Sequence, residues 1–190
     1  MTTANERFIP PDFTNHSPLT WYQAAASRPG FIQDASQRKA IECLDKLWTE
    51  LMMFKRKRNR FLGRSLRSPQ LPKGLYFYGG VGRGKSFLMD VFYGCLPYRR
   101  KRRVHFHAFM AEIHRRLREL KSEQDPLKSV AAEIARETRV LCFDEFHVSD
   151  IADAMILGRL LENLFNEGVV LVATSNYAPA ELYPQGQNRS

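Results

Sequence analysis

Gly79-Gly80-Val81-Gly82-Arg83-Gly84-Lys85-Ser86 decides the fold, because it fits G-x-x-x-x-G-K-[ST], the pattern of a loop that wraps a phosphate chain. Glycines let such a backbone curl until its N–H groups converge on the anion. Lys85 would then reach the outer phosphates of a triphosphate, and the Ser86 hydroxyl would hold Mg²⁺. The flanks agree with this reading. Leu75-Tyr76-Phe77-Tyr78 reads as a short buried strand, and Phe87-Leu88-Met89-Asp90-Val91-Phe92 as a helix. Strand, glycine-rich turn and helix N-terminus together aim a helix dipole at an anion.

Working upstream, Ser68-Pro69-Gln70-Leu71-Pro72 is a connector into that strand. Ala40, Ile41, Leu44, Leu47, Trp48 and Leu51 recur at helical spacing, which predicts an amphipathic helix from about Ala35 to Phe54. Asp34 and Gln37 resemble a capping box at its start, although Gln37 is equally suited to reading an adenine edge. Trp21 to Ser27 reads as a short helix stopped by Pro29-Gly30, and residues before Pro18 as an extended arm. In these N-terminal residues Phe8, Phe13, Trp21 and Tyr22 are read as packing anchors.

Downstream, Val104-His105-Phe106-His107-Ala108 reads as a strand with both histidines on one face, followed by a helix through Ile113, Leu117 and Leu120. Asp125-Pro126 is a helix start, with Asp as cap and Pro in the first turn. Arg139 to Phe143 is a strand, Ile151 to Asn166 a helix, and Gly168 to Ala173 a continuous apolar strand. Strands alternating with helices predict an α/β fold with a parallel sheet covered on both faces.

The length of 190 residues suits one domain, and a hydrophobic share of 44% excludes a disordered or fibrous chain. The N-terminus carries Glu6, Asp12 and prolines where a secretory signal needs an apolar core, which argues for a soluble cytoplasmic protein. Cys43, Cys95 and Cys142 are odd in number and widely spaced, so they are expected as buried thiols. The net charge of +9 is concentrated in Lys55-Arg56-Lys57-Arg58-Asn59-Arg60 and Arg99-Arg100-Lys101-Arg102-Arg103. Such blocks bind nucleic acid, an anionic membrane surface or an acidic protein, or form a solvated face, and all of these stay open.

A phosphate loop needs an acidic partner motif, since Mg²⁺ takes further oxygens and the attacking water must be oriented. Val140-Leu141-Cys142-Phe143-Asp144-Glu145 supplies it at the end of an apolar strand. Asp144 is the candidate for Mg²⁺ together with Ser86, and Glu145 the candidate general base. Thr174-Ser175-Asn176 ends the next strand, where Asn176 either contacts the γ-phosphate or serves as a cap before Pro179.

The stretches Gly74 to Ser86, Arg102-Arg103-Val104-His105-Phe106-His107-Ala108-Phe109-Met110, and Leu141-Cys142-Phe143-Asp144-Glu145-Phe146-His147 continuing to Leu157 resemble the ZapE-type cell-division ATPases. These are bacterial relatives of the mitochondrial AFG/LACE-type AAA+ proteins. The resemblance runs from about Pro18 to the end. It implies a P-loop NTPase with an AAA+ core, its Walker A loop over Gly79, Gly80, Val81, Gly82, Arg83, Gly84, Lys85 and Ser86 and its Walker B motif at Asp144-Glu145.

It also implies ATP hydrolysis, work at the division apparatus with FtsZ as partner, and a homo-oligomer in which Arg189 stands where AAA+ proteins place the arginine finger. Such a protein is cytoplasmic or peripheral at the division site. An AAA+ sheet has the strand order 5-1-4-3-2 and then a helical lid. Strands one to four are present, so the chain is read as truncated before the fifth strand and lid. The expected organisation is an N-terminal arm and short helix over residues 1–33 and a P-loop core over residues 34–190. His147 departs from the glutamine usual in the family, and Asp144-Glu145-Phe146-His147 has the D-E-x-H form of a nucleic-acid motor. The alternatives are a nucleic-acid motor or loader, and a nucleotide-dependent binding module without turnover.

Overall fold

The computed structural model describes residues 16–32, 34–59, 70–120, 122–148 and 150–182. They belong to two compact units, one made of Met1–Phe77 with Val81–Pro97 and the other of Tyr78–Gly80 with Tyr98–Ser190. Phe8, Phe13 and Arg189 lie outside the described residues.

In the first unit, α1 spans Pro18–Ala26 and α2 Ala35–Asn59. Helix α1 begins three residues before its predicted start, because Ser17 caps it by accepting from the Thr20 N–H and Pro18 fits the first turn. The N–H of Leu19 donates to Asp45 of α2 at 2.9 Å, which gives an orphan helix-start donor an acceptor from the neighbouring helix. Helix α2 runs past Phe54 through Lys55-Arg56-Lys57. Strand β1 (Leu75–Tyr78) leads to helix α3 (Lys85–Cys95), whose Phe87, Leu88, Met89, Val91 and Phe92 are buried.

Trp21 and Phe31 approach the Phe87 ring at 5.9 and 6.1 Å, so α1 and the α1–α2 connection pack on α3. Burying a side chain the size of Phe87 contributes about 2–3 kcal/mol. The exit of α3 is tied to α2, since the Trp48 indole donates to the Cys95 carbonyl at 2.8 Å and the Lys55 ammonium to the Pro97 carbonyl at 2.5 Å. Trp21 and Tyr22 are thus packing residues, both 4% exposed.

In the second unit, β2 is Lys101–His105, α4 Phe106–Glu119, α5 Pro126–Glu137, β3 Val140–Asp144, α6 Ile151–Asn166 and β4 Val170–Ser175. Strands β2 and β3 pair in parallel with Lys101 opposite Val140 and His105 opposite Asp144, and β3 and β4 pair in parallel with Val140 opposite Val170. The four strands form one sheet in the order β1-β4-β3-β2, which is the 1-4-3-2 run expected of an AAA+ core. All of β3 is buried, as a central strand covered on both faces must be. Strand β1, at one end of that order, is only half-buried and leaves Tyr78 57% exposed, which corrects its reading as a buried strand.

Phe106, Phe109, Phe143 and Phe146 form the aromatic centre of this unit, with Phe109 and Phe143 ring centroids 4.7 Å apart and Phe106 and Phe146 4.6 Å apart. Such pairs add about 0.5–1.5 kcal/mol beyond the area they bury. Asp125 caps α5 as predicted, accepting from the Lys128 N–H at 3.3 Å.

Strand β2 lies three residues upstream of the predicted one, so Lys101, Arg102 and Arg103 of the second basic block are half-buried strand residues, while Arg99 before them is exposed. Arg102 and Arg103 point to opposite sides of the strand. Arg102 meets Glu112 of α4, and Arg103 meets Asp144 of β3. Arg100 donates to the carbonyls of Ala135, at 2.8 Å, and Arg136, closing the last turn of α5. Arg139 does the same for α6 through the Glu167 carbonyl at 2.6 Å. Among the cysteines, Cys95 and Cys142 are buried as expected, whereas Cys43 on α2 is exposed. No helix among the described residues is long and apolar enough to cross a membrane.

Candidate functional site

The predicted phosphate loop occupies Gly79 to Gly84, and Lys85 and Ser86 are the first two residues of α3. Gly84 holds the N-cap position with φ 77° and no side chain, and Gly82 has φ 79°. These left-handed conformations suit glycine, and Gly84 brings no side-chain cap of its own to the start of α3, as suits an anion-binding helix start.

The start of α2 supports this loop from within the first unit. Gln37 Nε2 donates to the Arg83 carbonyl at 3.1 Å, and Arg83 Nη1 lies 3.7 Å from Asp34 Oδ2. A Cβ on Gly84 would fall 2.6 Å from Gln37 Nε2, so the two are in close contact. Asp34 caps α2 by accepting from the Ser36 N–H at 2.7 Å, and that bond holds its carboxyl below the ordinary range. Half of the predicted capping box is therefore present. Its other half is replaced, because the Gln37 side chain turns to the loop. Gln37 Oε1 is buried without a hydrogen-bond partner.

The acidic motif stands at the C-terminal end of β3 in the second unit. Asp144, the last strand residue, receives Arg103 Nε on Oδ2 at 2.6 Å and Arg103 Nη2 on Oδ1 at 3.3 Å. Glu145 follows with a left-handed backbone at φ 55°, and its carboxylate is 71% exposed with His105 Nδ1 at 3.8 Å.

Thr174 and Ser175 hold this turn in place. The Glu145 N–H donates to the Thr174 hydroxyl at 3.2 Å, the Phe146 N–H to the Thr174 carbonyl at 2.7 Å, and the Ser175 hydroxyl to the Phe146 carbonyl at 2.6 Å. The Gly79 N–H donates to the Ser175 carbonyl at 3.2 Å. The first loop glycine, the Asp144-Glu145 turn and the end of β4 thus meet at one end of the sheet, the end where ligands sit in open α/β folds. Asn176 is exposed immediately beyond β4. The turn before Pro179 is closed by Glu181, which accepts from the Ala178 N–H at 2.9 Å, so Asn176 is not its cap. His147 stacks on Tyr177, with ring centroids 4.5 Å apart and planes at 25°.

Hydroxyl and carboxylate oxygens of the Ser86 and Asp144 kind suit Mg²⁺, which takes one or two protein oxygens and fills its octahedron with phosphate and water. Among the described residues no group of three or more His, Cys, Asp or Glu is placed to hold a metal ion by protein side chains alone. His105 ends β2 while His107 belongs to α4, so they do not alternate along one strand; their rings lie 5.8 Å apart. Arg103 was hidden in the sequence by its basic neighbours. The available signal was the pairing of Arg102 with Arg103, which places adjacent guanidiniums on opposite faces of any strand.

Comparison with known proteins agrees with this architecture. The family model for AFG1-like ATPases matches residues 16–190. The cell division protein ZapE of Escherichia coli K12 is 43% identical over 185 residues, covering 92% of this chain and 49% of that protein. The zebrafish lactation elevated protein 1 homolog B is 53% identical over 133 residues, covering 64% of this chain and 26% of that protein. The chain thus spans half or less of the length of these curated relatives. Among solved structures, DnaI superposes with a TM-score of 0.52 at 21% identity over 78% of this chain and 70% of that one. Domain III of the Thermotoga maritima replication initiation protein DnaA gives 0.54 at 17% identity over 95% and 61%. These superpositions speak for the P-loop α/β fold, and the match over residues 16–190 places the chain in the AFG1-like ATPase family.

Proposed function

We propose that this chain binds ATP with Mg²⁺ and hydrolyses it as an AAA+ domain. The observation that carries the reading is the meeting of Gly79, Asp144-Glu145 and the end of β4 at one sheet end, with Lys85 and Ser86 opening the helix after the loop. Gly79, Gly80, Val81, Gly82, Arg83 and Gly84 cradle the phosphates, and Lys85 neutralises the outer ones. Ser86 and Asp144 are the residues that would hold Mg²⁺, which would supply positive charge to the transferring phosphoryl group. Glu145, exposed on its turn, accepts the proton of the attacking water, and Asn176 contacts the γ-phosphate. Arg189 supplies the arginine finger to a neighbouring copy in a homo-oligomer.

Nucleotide binding measured by calorimetry with and without Mg²⁺ tests the site. Lys85→Ala loses binding, while Glu145→Gln binds ATP and releases no phosphate. Equal affinity of the parent and Lys85→Ala sinks the assignment, and a parent that binds without turnover leaves a nucleotide-dependent binding module.

The relation to ZapE supports action at the division apparatus, with FtsZ as the partner and a cytoplasmic location, peripheral at the division site. Co-pelleting with FtsZ polymers at a salt series tests this partner. A nucleic-acid motor draws less support, since Arg100, Arg102 and Arg103 of the second basic block are engaged within the fold.

A further inference from the structure

The ion pair between Arg103 and Asp144 is out of proportion to a surface contact. The guanidinium engages both carboxylate oxygens, at 2.6 and 3.3 Å, and the side chains are only 21% and 9% exposed. Bidentate charge-assisted pairs of this geometry are the strong ones, and partial burial keeps solvent from screening them. Arg103 stands opposite Cys142 in the β2–β3 register, so its side chain extends along β3 to reach Asp144, two residues on and on the same face. The neighbouring Arg102 is committed to Glu112 on the other side and cannot replace it.

We propose that Arg103 is a cationic latch on Asp144 that sets how much Mg²⁺ nucleotide binding demands. This rests on the ATP and Mg²⁺ reading above. A guanidinium and a divalent cation compete for the same carboxylate, because each oxygen that serves Arg103 has less charge and fewer open directions to offer the metal or its bound waters. Like charges also repel at this range. Arrival of the metal with its nucleotide therefore loosens the pair between Arg103 and Asp144. Arg103 acts here through Asp144 as a positioning residue.

The test is the Mg²⁺ concentration that half-saturates binding of a fluorescent ADP analogue, followed by titration in the parent, Arg103→Gln and Arg103→Lys. The affinity in EDTA and the melting temperature are measured alongside. Removing the competing guanidinium lowers the half-saturating Mg²⁺ by about tenfold in Arg103→Gln. Arg103→Lys, which keeps the charge and loses the fork, falls between. The affinity in EDTA stays within about twofold, which separates the latch from general damage to the fold. If Arg103→Gln does not fold, the shift in Arg103→Lys decides. An unchanged or raised Mg²⁺ requirement in the folded variants overturns the latch while the parent's own Mg²⁺ dependence keeps the ATP reading. A parent whose nucleotide binding ignores Mg²⁺ overturns both.

Discussion

Gln37, on the first turn of α2, donates its side-chain amide to the carbonyl of Arg83 at 3.1 Å, across 46 residues of sequence. A backbone carbonyl in a glycine-rich loop is otherwise free to rotate with its peptide plane, and this bond fixes it. The loop is therefore held partly from outside itself.

Gln37→Ala removes that support and leaves the helix cap, because Asp34 still accepts from Ser36. A hydrogen bond of this kind is worth about 1 kcal/mol net. The expected result is nucleotide affinity weakened about fivefold, with a melting temperature within a few degrees of the parent, read by calorimetry and thermal unfolding.

Gly84→Ala fails for two reasons that can be separated. The new Cβ meets Gln37 Nε2 at 2.6 Å, and the residue keeps φ 77°. The strained backbone alone costs about 1–2 kcal/mol. Combining it with Gln37→Ala relieves the contact and not the backbone, so the double variant regains part of the stability lost in Gly84→Ala. Chemical denaturation of the four proteins measures that coupling.

Glu112 lies between Arg102 and Arg116, with Arg116 Nη2 2.8 Å from Oε1. The hydrogen bond from Arg102 is the main reason its carboxyl titrates below the ordinary value of 4.5. The carboxylate is harder to protonate folded than unfolded. Its stabilising contribution is therefore complete above about pH 4.5 and lost as pH falls through the lowered folded value. Glu112→Gln is expected to cost about 1–2 kcal/mol near neutral pH. The gap between variant and parent closes as the pH falls through that lowered folded value, which urea unfolding across a pH series reads directly.

The three thiols are expected to separate in a labelling experiment. Cys43 is exposed, whereas burial pushes the Cys142 thiol up to about 12 and keeps its reactive thiolate scarce. A disulfide reagent at neutral pH labels one cysteine in the folded protein, and Cys43→Ser abolishes that fast phase. The other two react only on unfolding.

What the sequence disclosed follows from how local each signal is. Helix α6 occupies Ile151–Asn166 and α5 begins at Pro126 behind its Asp125 cap, both as predicted, because caps and helical periodicity are written in adjacent residues. The glycine-rich loop before α3 and the end of β3 at Asp144 were legible for the same reason. Strand β2 was not, since Lys101-Arg102-Arg103 has the composition of a solvated segment. What makes it a strand is neutralisation by Glu112 and Asp144, the latter 41 residues away. Gln37 was misdirected likewise: its spacing from Asp34 satisfies a capping box, while its partner Arg83 is distant. Cys43 was expected inside because cysteine usually is, yet it falls on the solvent side of α2.

Glu145 carries a left-handed backbone at φ 55° with a carboxylate turned to solvent. The conformation favours glycine or asparagine by about 1 kcal/mol. Variants selected for heat resistance alone should drift away from glutamate at this position, and variants selected for turnover should keep it. If Glu145 is the base proposed above, the durability of the molecule and its usefulness are set against each other in a single residue.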